Sequence, residues 1–161
     1  MTPDFRRYRR NVGLMLIAAD RRIFVGRRRG MTEGSGWQMP QGGIDRGETV
    51  VEAACRELFE EVGTSKALLL RESRDWIVYD VPAPLQPAHW KGRWHGQAQK
   101  WVALAFTGRD TDIDLDAHGD PHGPEFDSWR WMTTREMLAE IVPFKRTVYE
   151  TVVREFEDLV A

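Results

Sequence analysis

The sequence has only one cysteine, Cys55, among 161 residues. A single thiol cannot form a disulfide within the chain, so we expect a fold stabilised by its core in a reducing, cytoplasmic setting. Cys55 falls in a helical stretch beside apolar residues, which predicts a buried and unreactive thiol. No apolar run approaches the roughly 20 residues of a membrane-spanning helix, and no leader-like segment opens the chain. A soluble protein with no membrane partner is therefore expected.

Neither sign of charge is in clear excess, since 23 basic residues are matched by 25 acidic ones for a formal net charge of −2. Such a chain is poorly suited to indiscriminate nucleic-acid binding, which depends on a strong positive field. The basic residues are nevertheless grouped along the sequence. Folding that gathers the groups would create a local site for an anionic ligand; the alternative is that each is a solvated surface cluster. The groups are Arg6, Arg7, Arg9 and Arg10, then Arg27, Arg28 and Arg29, then Lys145 and Arg146.

The length fits one domain covering residues 1–161, and 42% hydrophobic content is sufficient for one core. Short apolar runs predict strands, the first two as a hairpin, and three- and four-residue apolar spacing predicts helices. The order of elements indicates an α/β or α+β domain built in layers. Strands are predicted at 11–18, 22–26, 75–81, 98–107 and 128–132, helices at 49–62, 133–143 and from 144 onward, and irregular structure at 30–36, 37–43, 82–97 and most of 108–126.

Three glutamates at the end of the first predicted helix lie where a helix disfavours them. Glu57, Glu60 and Glu61 are spaced i, i+3 and i+4, so they share a face and repel each other. They also occupy the last turn, where the helix dipole opposes anions. A hard divalent cation reverses both effects, whereas three glutamates considered alone favour an ordinary acidic surface. The opposite stripe predicts packing on the sheet, with the carboxylates towards a cleft; it consists of Val50, Ala54, Leu58 and Val62.

The spacing around these glutamates favours the metal hypothesis. Gly42 is followed after five residues by Glu48, and after seven more by the run RELFEEVGT that begins at Arg56. This pattern resembles the Nudix box, G-x5-E-x7-R-E-U-x-E-E-x-G-U with U a bulky aliphatic residue. Only the last position differs, where Thr64 follows the helix stop at Gly63 and is expected to affect local packing rather than metal binding. The resemblance implies the Nudix hydrolase fold, a mixed sheet sandwiched between helices.

The resemblance also implies a role for each residue. Two or more Mg²⁺ ions, or Mn²⁺ or another divalent ion, would neutralise a polyphosphate, lower the pKa of the attacking water and orient it. Glu48 and Arg56 would hold the loop and helix together, and Glu57 and Glu125 are both candidates for the base. The implied catalytic residues are Arg56, Glu57, Glu60, Glu61 and Glu125, and the implied metal ligands are Gly42, through its carbonyl, Glu57, Glu60, Glu61 and Glu125.

Further motifs resemble one subgroup of the family over nearly the whole chain: YRxNVG at 8–13, WQxPQGG at 37–43, GQxQKW at 96–101, PEFDxWRW at 124–131 and FKRxVY at 144–149. This subgroup contains the bacterial RNA pyrophosphohydrolases and the hydrolases of diadenosine tetra- and pentaphosphate. The implied substrate is 5′-triphosphorylated RNA, cut to a 5′-monophosphate that exposes the transcript to decay; a dinucleoside polyphosphate is the alternative. The implied substrate-binding residues are Arg9, Arg28, Gln97, Gln99, Lys100 and Lys145 for phosphates and Phe144 for a base.

Several alternatives stand beside these expectations. Phe144 is equally suited to a core position at the start of the last helix. A catalytically inactive binding module is the hypothesis from a different class, and the intact glutamates count against it. His118 and His122 do not predict a metal site, because the glycines and proline around them exclude a helical pair. Trp90 and Trp94 are expected to be partly exposed near substrate, and the sequence leaves open whether a protein partner stimulates the reaction.

Overall fold

The computed structural model describes residues 2–31, 36–116 and 123–160. In this part of the chain an eight-stranded mixed sheet lies between two helical layers, which confirms the predicted α+β class. The main path of the sheet runs β3-β2-β1-β7-β5, with β4 on β1, β6 on β7 and β8 on β2. The strands are β1 (Tyr8–Ile17), β2 (Ile23–Arg28), β3 (Trp37–Gln38), β4 (Gln41–Gly43), β5 (Ala67–Glu72), β6 (Ile77–Asp80), β7 (Gly96–Phe106) and β8 (Phe126–Met132).

Strand β1 lies at the centre of the sheet, because its apolar side chains pack against the helices on both faces. Leu14 and Leu16 face one core cluster, while Met15 and Ile17 face the other. Such a continuous apolar run is typical of a strand covered on both sides. β1 runs parallel to β7 along its whole length and antiparallel to β2 at Ile17 and Ile23, so the predicted hairpin is confirmed.

The helices cover the two faces of this sheet. The helix α1 (Val50–Glu57) begins with a capping box between Thr49 and Glu52 and continues as a π-helical segment, Leu58–Val62. Its predicted apolar stripe packs on the sheet, with Val50 half-buried and the other three residues buried. The opposite face is covered by α2 (Thr134–Glu140) and α3 (Arg146–Glu155), and α4 (Glu157–Val160) follows.

One secondary-structure expectation was wrong, and one strand was missed. The 37–43 stretch forms β3 and β4, because pairing with β2 and β1 outweighs the local effect of its proline and glycines. β5 was not predicted at all. The helix predicted at 49–62 is confirmed, with its stop at Gly63, although it is α-helical only to Glu57 and π-helical from there to Val62. The last long helix is also confirmed, and it begins at Arg146 after a 3₁₀ turn, Pro143–Lys145.

The expectation of a buried thiol was also wrong, since Cys55 is exposed. Residues on an α-helix are rotated by about 100° from one to the next, so Cys55 points away from the stripe that contains Ala54. None of the helices in the described part of the chain is long and apolar enough to cross a membrane. His118 and His122 lie outside the described residues, as do residues 32–35 of the glycine-rich loop.

Candidate active site

The predicted glutamates and most of the predicted substrate-binding residues line one cavity of about 1120 Å³. Its walls come from β1, β4, the end of the first helix, the connection between β6 and β7, and the segments that precede β8 and α3. This is above the roughly 300–1,000 Å³ that is common for small-molecule pockets. The predicted residues that line it are Arg9, Arg28, Gly42, Glu57, Glu60, Glu61, Gln97, Glu125, Phe144 and Lys145.

The π-helical segment sets the positions of the last two glutamates. Gly63 ends it with a left-handed φ of 78°, and its N–H donates to the carbonyls of Leu58 and Phe59, both at 3.2 Å. Glu60 is exposed, whereas Oε2 of Glu61 is buried. Insertions of this kind within α-helices are frequent at functional sites.

Arg56 connects the loop before the helix with the glutamates on it. Its guanidinium holds both oxygens of Glu48, at 2.7 and 2.9 Å, and donates to the carbonyl of Gly43 at 2.8 Å. The same side chain donates to Glu57 at 2.8 Å and to Glu60 at 3.2 Å. Paired N–H groups of this kind bind carboxylates strongly and fix their orientation. Arg56 therefore ties the Gly43 loop, Glu48 and two of the three candidate metal ligands into one unit.

Glu57 and Glu61 form a carboxyl pair, in which the charge of Glu57 acts on Glu61. Burial raises the pKa of Glu57 to about 7, although Arg56 acts in the opposite direction. Burial, followed by the charges of Glu57 and Glu125, raises the pKa of Glu61 well above its usual value. Oε2 of Glu61 has no hydrogen-bond partner within the described residues. Gly42 permits this arrangement, because a Cβ there would collide with the Glu57 carboxyl.

The donor set suits a hard divalent cation. Carboxylate and carbonyl oxygens are the ligands that Mg²⁺ prefers, and a cation next to Glu61 would satisfy its unpartnered oxygen. Among the described residues, no three acidic side chains lie close enough together to form a complete set of metal ligands. Glu57 and Glu60 instead contact Arg56. A cation would compete with this guanidinium for the same oxygens.

Three cationic side chains line the cavity. Arg9 lies against Gly43, with Nη1 3.5 Å from Oε1 of Gln97. Arg28 places its Nε 3.7 Å from the carboxylate of Glu125, which is exposed and immediately precedes β8. Lys145 is only 7% exposed and donates to Gln38 at 3.3 Å. Together they surround the carboxylates with groups that bind phosphate oxygens.

Three aromatic residues, Phe144, Trp90 and Trp94, were expected near the substrate, and the structure shows where each of them lies. Phe144 is half-buried, belongs to neither core cluster of the described residues, and lines the cavity from the 3₁₀ turn before α3. Its role in stacking on a base stays a prediction. Trp90 lines the cavity, but the expected partial exposure was wrong, since it is 2% exposed and packs edge-on against Trp94, with ring centroids 5.8 Å apart. Trp94 is partly exposed, as expected, but does not line this cavity.

Gln99 and Lys100 do not line the cavity. Gln99 is buried in a network in which its Nε2 donates to Asn11 at 2.8 Å and to Gln41 at 2.7 Å. Lys100 lies on the opposite side of β7, because side chains alternate along a strand, and its ammonium group donates to the backbone carbonyls of residues 73–74. Direct phosphate binding by these two side chains is not supported by their positions.

Tyr79 was missed by the sequence analysis. It lines the cavity, and its hydroxyl accepts a hydrogen bond of 2.8 Å from Nε2 of Gln97. Burial raises the pKa of Tyr79 to about 12, so the hydroxyl keeps its proton and remains available as a donor. The available signal was the alternation along the 75–81 stretch, where Tyr79 and Ile77 fall on the half-buried side.

The pH dependence of substrate capture is expected to report on Lys145. Burial, followed by the charge of Arg28, lowers the pKa of Lys145 to about 8. The lysine is therefore charged below this pH and becomes neutral as the pH rises through it, so kcat/KM should fall above about pH 8. Lys145→Arg stays charged and should flatten this part of the profile. An unchanged alkaline limb in the variant would exclude Lys145 as its source.

Comparison with known proteins identifies the family of this chain. Residues 7–152 match the model of the NUDIX domain, and the chain therefore belongs to the Nudix domain family, as the resemblance predicted. It is 49% identical over 153 residues to an RNA pyrophosphohydrolase of Rickettsia bellii, covering 95% of this chain and 92% of that protein. An RNA pyrophosphohydrolase of Rickettsia rickettsii is 48% identical with the same coverage.

Solved structures share the fold at low sequence identity. The Escherichia coli dihydroneopterin triphosphate pyrophosphohydrolase superposes with a TM-score of 0.64 at 20% identity, covering 92% of this chain and 98% of that one. A Caenorhabditis elegans Ap4A hydrolase in a binary complex gives 0.62 at 16% identity, covering 92% and 96%. Nudix hydrolases generally use divalent metal ions, typically Mg²⁺.

Proposed function

We propose that this chain is an RNA pyrophosphohydrolase that removes pyrophosphate from the 5′-triphosphate end of RNA and leaves a 5′-monophosphate. The proposal rests mainly on one observation: Arg9, Arg28 and Lys145 line the same cavity as the Nudix glutamates. Cationic donors suit a phosphate chain, and the carboxylates suit the cations that neutralise it. The names of the relatives that are 48–49% identical over 95% of the chain support the choice of substrate.

In this proposal two or more divalent ions, Mg²⁺ first among them, would be held by the glutamates and by the Gly42 carbonyl. Such ions would supply charge neutralisation and activation of the attacking water. Arg56 orients two of the ligands, and Glu57 and Glu125 remain the candidates for the base. The proposed reaction takes place in the cytoplasm, where the 5′-monophosphorylated RNA would then be degraded. The proposed metal ligands are Gly42, Glu57, Glu60, Glu61 and Glu125.

The direct test compares purified enzyme on 5′-triphosphorylated RNA and on diadenosine tetraphosphate at the same magnesium concentration. The RNA should be preferred by at least about tenfold in kcat/KM, with one pyrophosphate released for each 5′-monophosphate formed. Cleavage of the dinucleotide alone would refute the proposed substrate and leave the hydrolase class standing. Failure to cut either substrate would favour the inactive binding module.

Hydrolysis of dinucleoside polyphosphates is the second candidate, and the size of the cavity favours keeping it. A volume of about 1120 Å³ has room for a polyphosphate together with more than one nucleoside. Both reactions would use the same carboxylates and cations, so the two activities are compatible in one site.

A further inference from the structure

A network of side-chain amides lies behind the cavity and begins at a buried indole. Nε1 of Trp101 donates to Oε1 of Gln99 at 3.1 Å, and both side chains are buried. An indole N–H can only donate, so the oxygen of the Gln99 amide faces Trp101 and its NH₂ group faces the other way. The two hydrogens of that NH₂ group go to Oδ1 of Asn11 and Oε1 of Gln41. Trp101 therefore fixes the orientation of all three amides.

The orientation of Gln41 matters because this side chain is half-buried and lines the cavity. Its oxygen accepts the hydrogen bond of 2.7 Å from Gln99, which turns its NH₂ group away from the network. That NH₂ group has no acceptor among the described residues and is not buried. An accessible amide donor of this kind can bind an anionic oxygen through a charge-assisted hydrogen bond.

The backbone around Gln41 is fixed by contacts that do not involve Gln99. Residues 41–43 pair with β1 as strand β4, and the hydroxyl of Tyr149 accepts a hydrogen bond of 2.8 Å from the N–H of Met39. The hydrogen bond from Gln99 is therefore not needed to place the backbone. Its effect is to determine which end of the Gln41 amide is free to meet a ligand.

The two residues after Gln41 border both kinds of charged group in the cavity. The carboxyl of Glu57 occupies the space of a Cβ at Gly42, and the guanidinium of Arg9 occupies that of a Cβ at Gly43. Strand β4 therefore borders a proposed metal ligand and a proposed phosphate-binding residue. A phosphate chain that spans these two groups lies within reach of the Gln41 amide, which lines the same cavity.

We propose that Gln41 donates a hydrogen bond to a phosphate oxygen of the substrate, and that Gln99 is the positioning residue that presents the NH₂ end of its amide. The inference rests on the proposed function, because it requires a phosphate chain in the cavity. If the Gln41 amide were turned over, its oxygen would face the phosphate chain and repel it. Gln99 thus contributes to substrate capture from a buried position, without touching the substrate.

The test combines Gln41→Met and Gln99→Met in a double-mutant cycle, with KM and kcat measured on 5′-triphosphorylated RNA. Methionine has a similar length but no N–H to donate. Gln41→Met should raise KM about tenfold and leave kcat within about threefold, because a hydrogen bond to a charged group is lost in ground and transition state alike. Gln99→Met should raise KM about fivefold alone, and less than about twofold when Gln41 is already methionine.

The cycle tests both halves of the inference. An unchanged KM in Gln41→Met would overturn the binding role. Equal effects of Gln99→Met with and without Gln41 would overturn the positioning role. Gln99→Glu keeps the latter testable if Gln99→Met does not fold: a carboxylate still accepts from Trp101 but cannot donate, so the Gln41 amide should turn over. KM should then rise at least as much as in Gln99→Met, and an unchanged KM would again exclude positioning.

Ser73→Ala is the matched control for a lost buried hydrogen bond next to this network. The hydroxyl of Ser73 is buried and accepts from the backbone N–H of Trp101 at 3.0 Å, but Ser73 does not line the cavity. The variant should lower the melting temperature, as Gln99→Met does, and leave KM within about twofold of the wild type. A rise in KM equal to that of Gln99→Met would mean that lost stability explains both, and would overturn the positioning role.

Binding measured without turnover separates the inference from the proposed reaction. The probe is a nucleoside triphosphate whose bridging oxygens are replaced by methylene groups, and its affinity is measured by calorimetry in magnesium buffer. Gln41→Met should weaken it by about the same tenfold factor. If the wild-type enzyme cuts no RNA but the variant shows this loss, the role of Gln41 stands and the proposed reaction fails. If the enzyme cuts RNA and the variant binds the analogue as the wild type does, the inference fails.

Discussion

Glu57→Gln is expected to lower kcat/KM on the order of a thousandfold, as measured by pyrophosphate release at saturating magnesium. The amide keeps the shape of the side chain and can still accept the hydrogen bond from Arg56. It cannot supply the negative charge that a divalent cation requires. Retained activity would contradict the assigned metal site, because Glu57 is buried at the cavity beside Arg56 and Gly42, where no other charge could replace its own.

The same substitution should not destabilise the fold. Burial raises the pKa of Glu57 to about 7, so the stability that its protonated form contributes is present below the unfolded pKa and is lost as the pH rises through 7. Glutamine is neutral throughout, and the melting temperature of the metal-free variant at pH 8 should equal or exceed that of the wild type. Glu72→Gln, at an exposed glutamate on β5, is the matched control and should change neither activity nor melting temperature.

Arg56→Met is expected to lower the free energy of unfolding by about 3 kcal/mol, which corresponds to a fall in melting temperature of about 6–12 °C. The side chain of Arg56 is 27% exposed and that of its main partner Glu48 is 16% exposed, so solvent replaces the lost contacts poorly. Methionine fills much of the volume but leaves Glu48, Glu57 and the Gly43 carbonyl without their donor. Calorimetric or denaturant unfolding measures the loss.

Arg71→Met is the matched comparison, since Arg71 also holds a carboxylate through two nitrogens but lies on the surface with Asp158. Exposed pairs contribute little, so its loss should cost about 1 kcal/mol or less. Equal losses for the two variants would mean that Arg56 acts as an ordinary surface cation. Arg56→Lys should fall between, because an ammonium group keeps the charge but not the paired geometry.

The Nudix box could be predicted from sequence because its spacing is local. Glu48 and Arg56 are eight residues apart, and the glutamates follow on one helix, so their proximity requires little knowledge of the remaining chain. The apolar stripe on the same helix was confirmed for the same reason. Arg9, Arg28 and Lys145 come from β1, β2 and a turn that are distant in sequence. The charge clusters left open whether folding gathers them, and only the resemblance assigned these three residues to the site.

The failures have physical causes that a local pattern does not contain. Gln99 and Lys100 share one motif, yet the alternation along β7 puts them on opposite sides, where Gln99 enters a buried amide network and Lys100 turns to backbone carbonyls. β5 was missed because its three consecutive leucines are all exposed at the edge of the sheet. The sequence ALLLRE therefore lacks the alternation of apolar and polar residues by which a strand is recognised. The part of the cavity lined by the β6–β7 connection depends on two 3₁₀ turns that the sequence analysis did not predict.

The π-helical segment Leu58–Val62 gives the chain an extra residue in one turn. If the same residues followed the ordinary α-helical ladder instead, every side chain after the segment would be rotated by about 100°, and Val62 would leave the sheet it packs on. The wider turn thus allows five consecutive residues to supply both an apolar contact to the sheet and the acidic groups of the cavity.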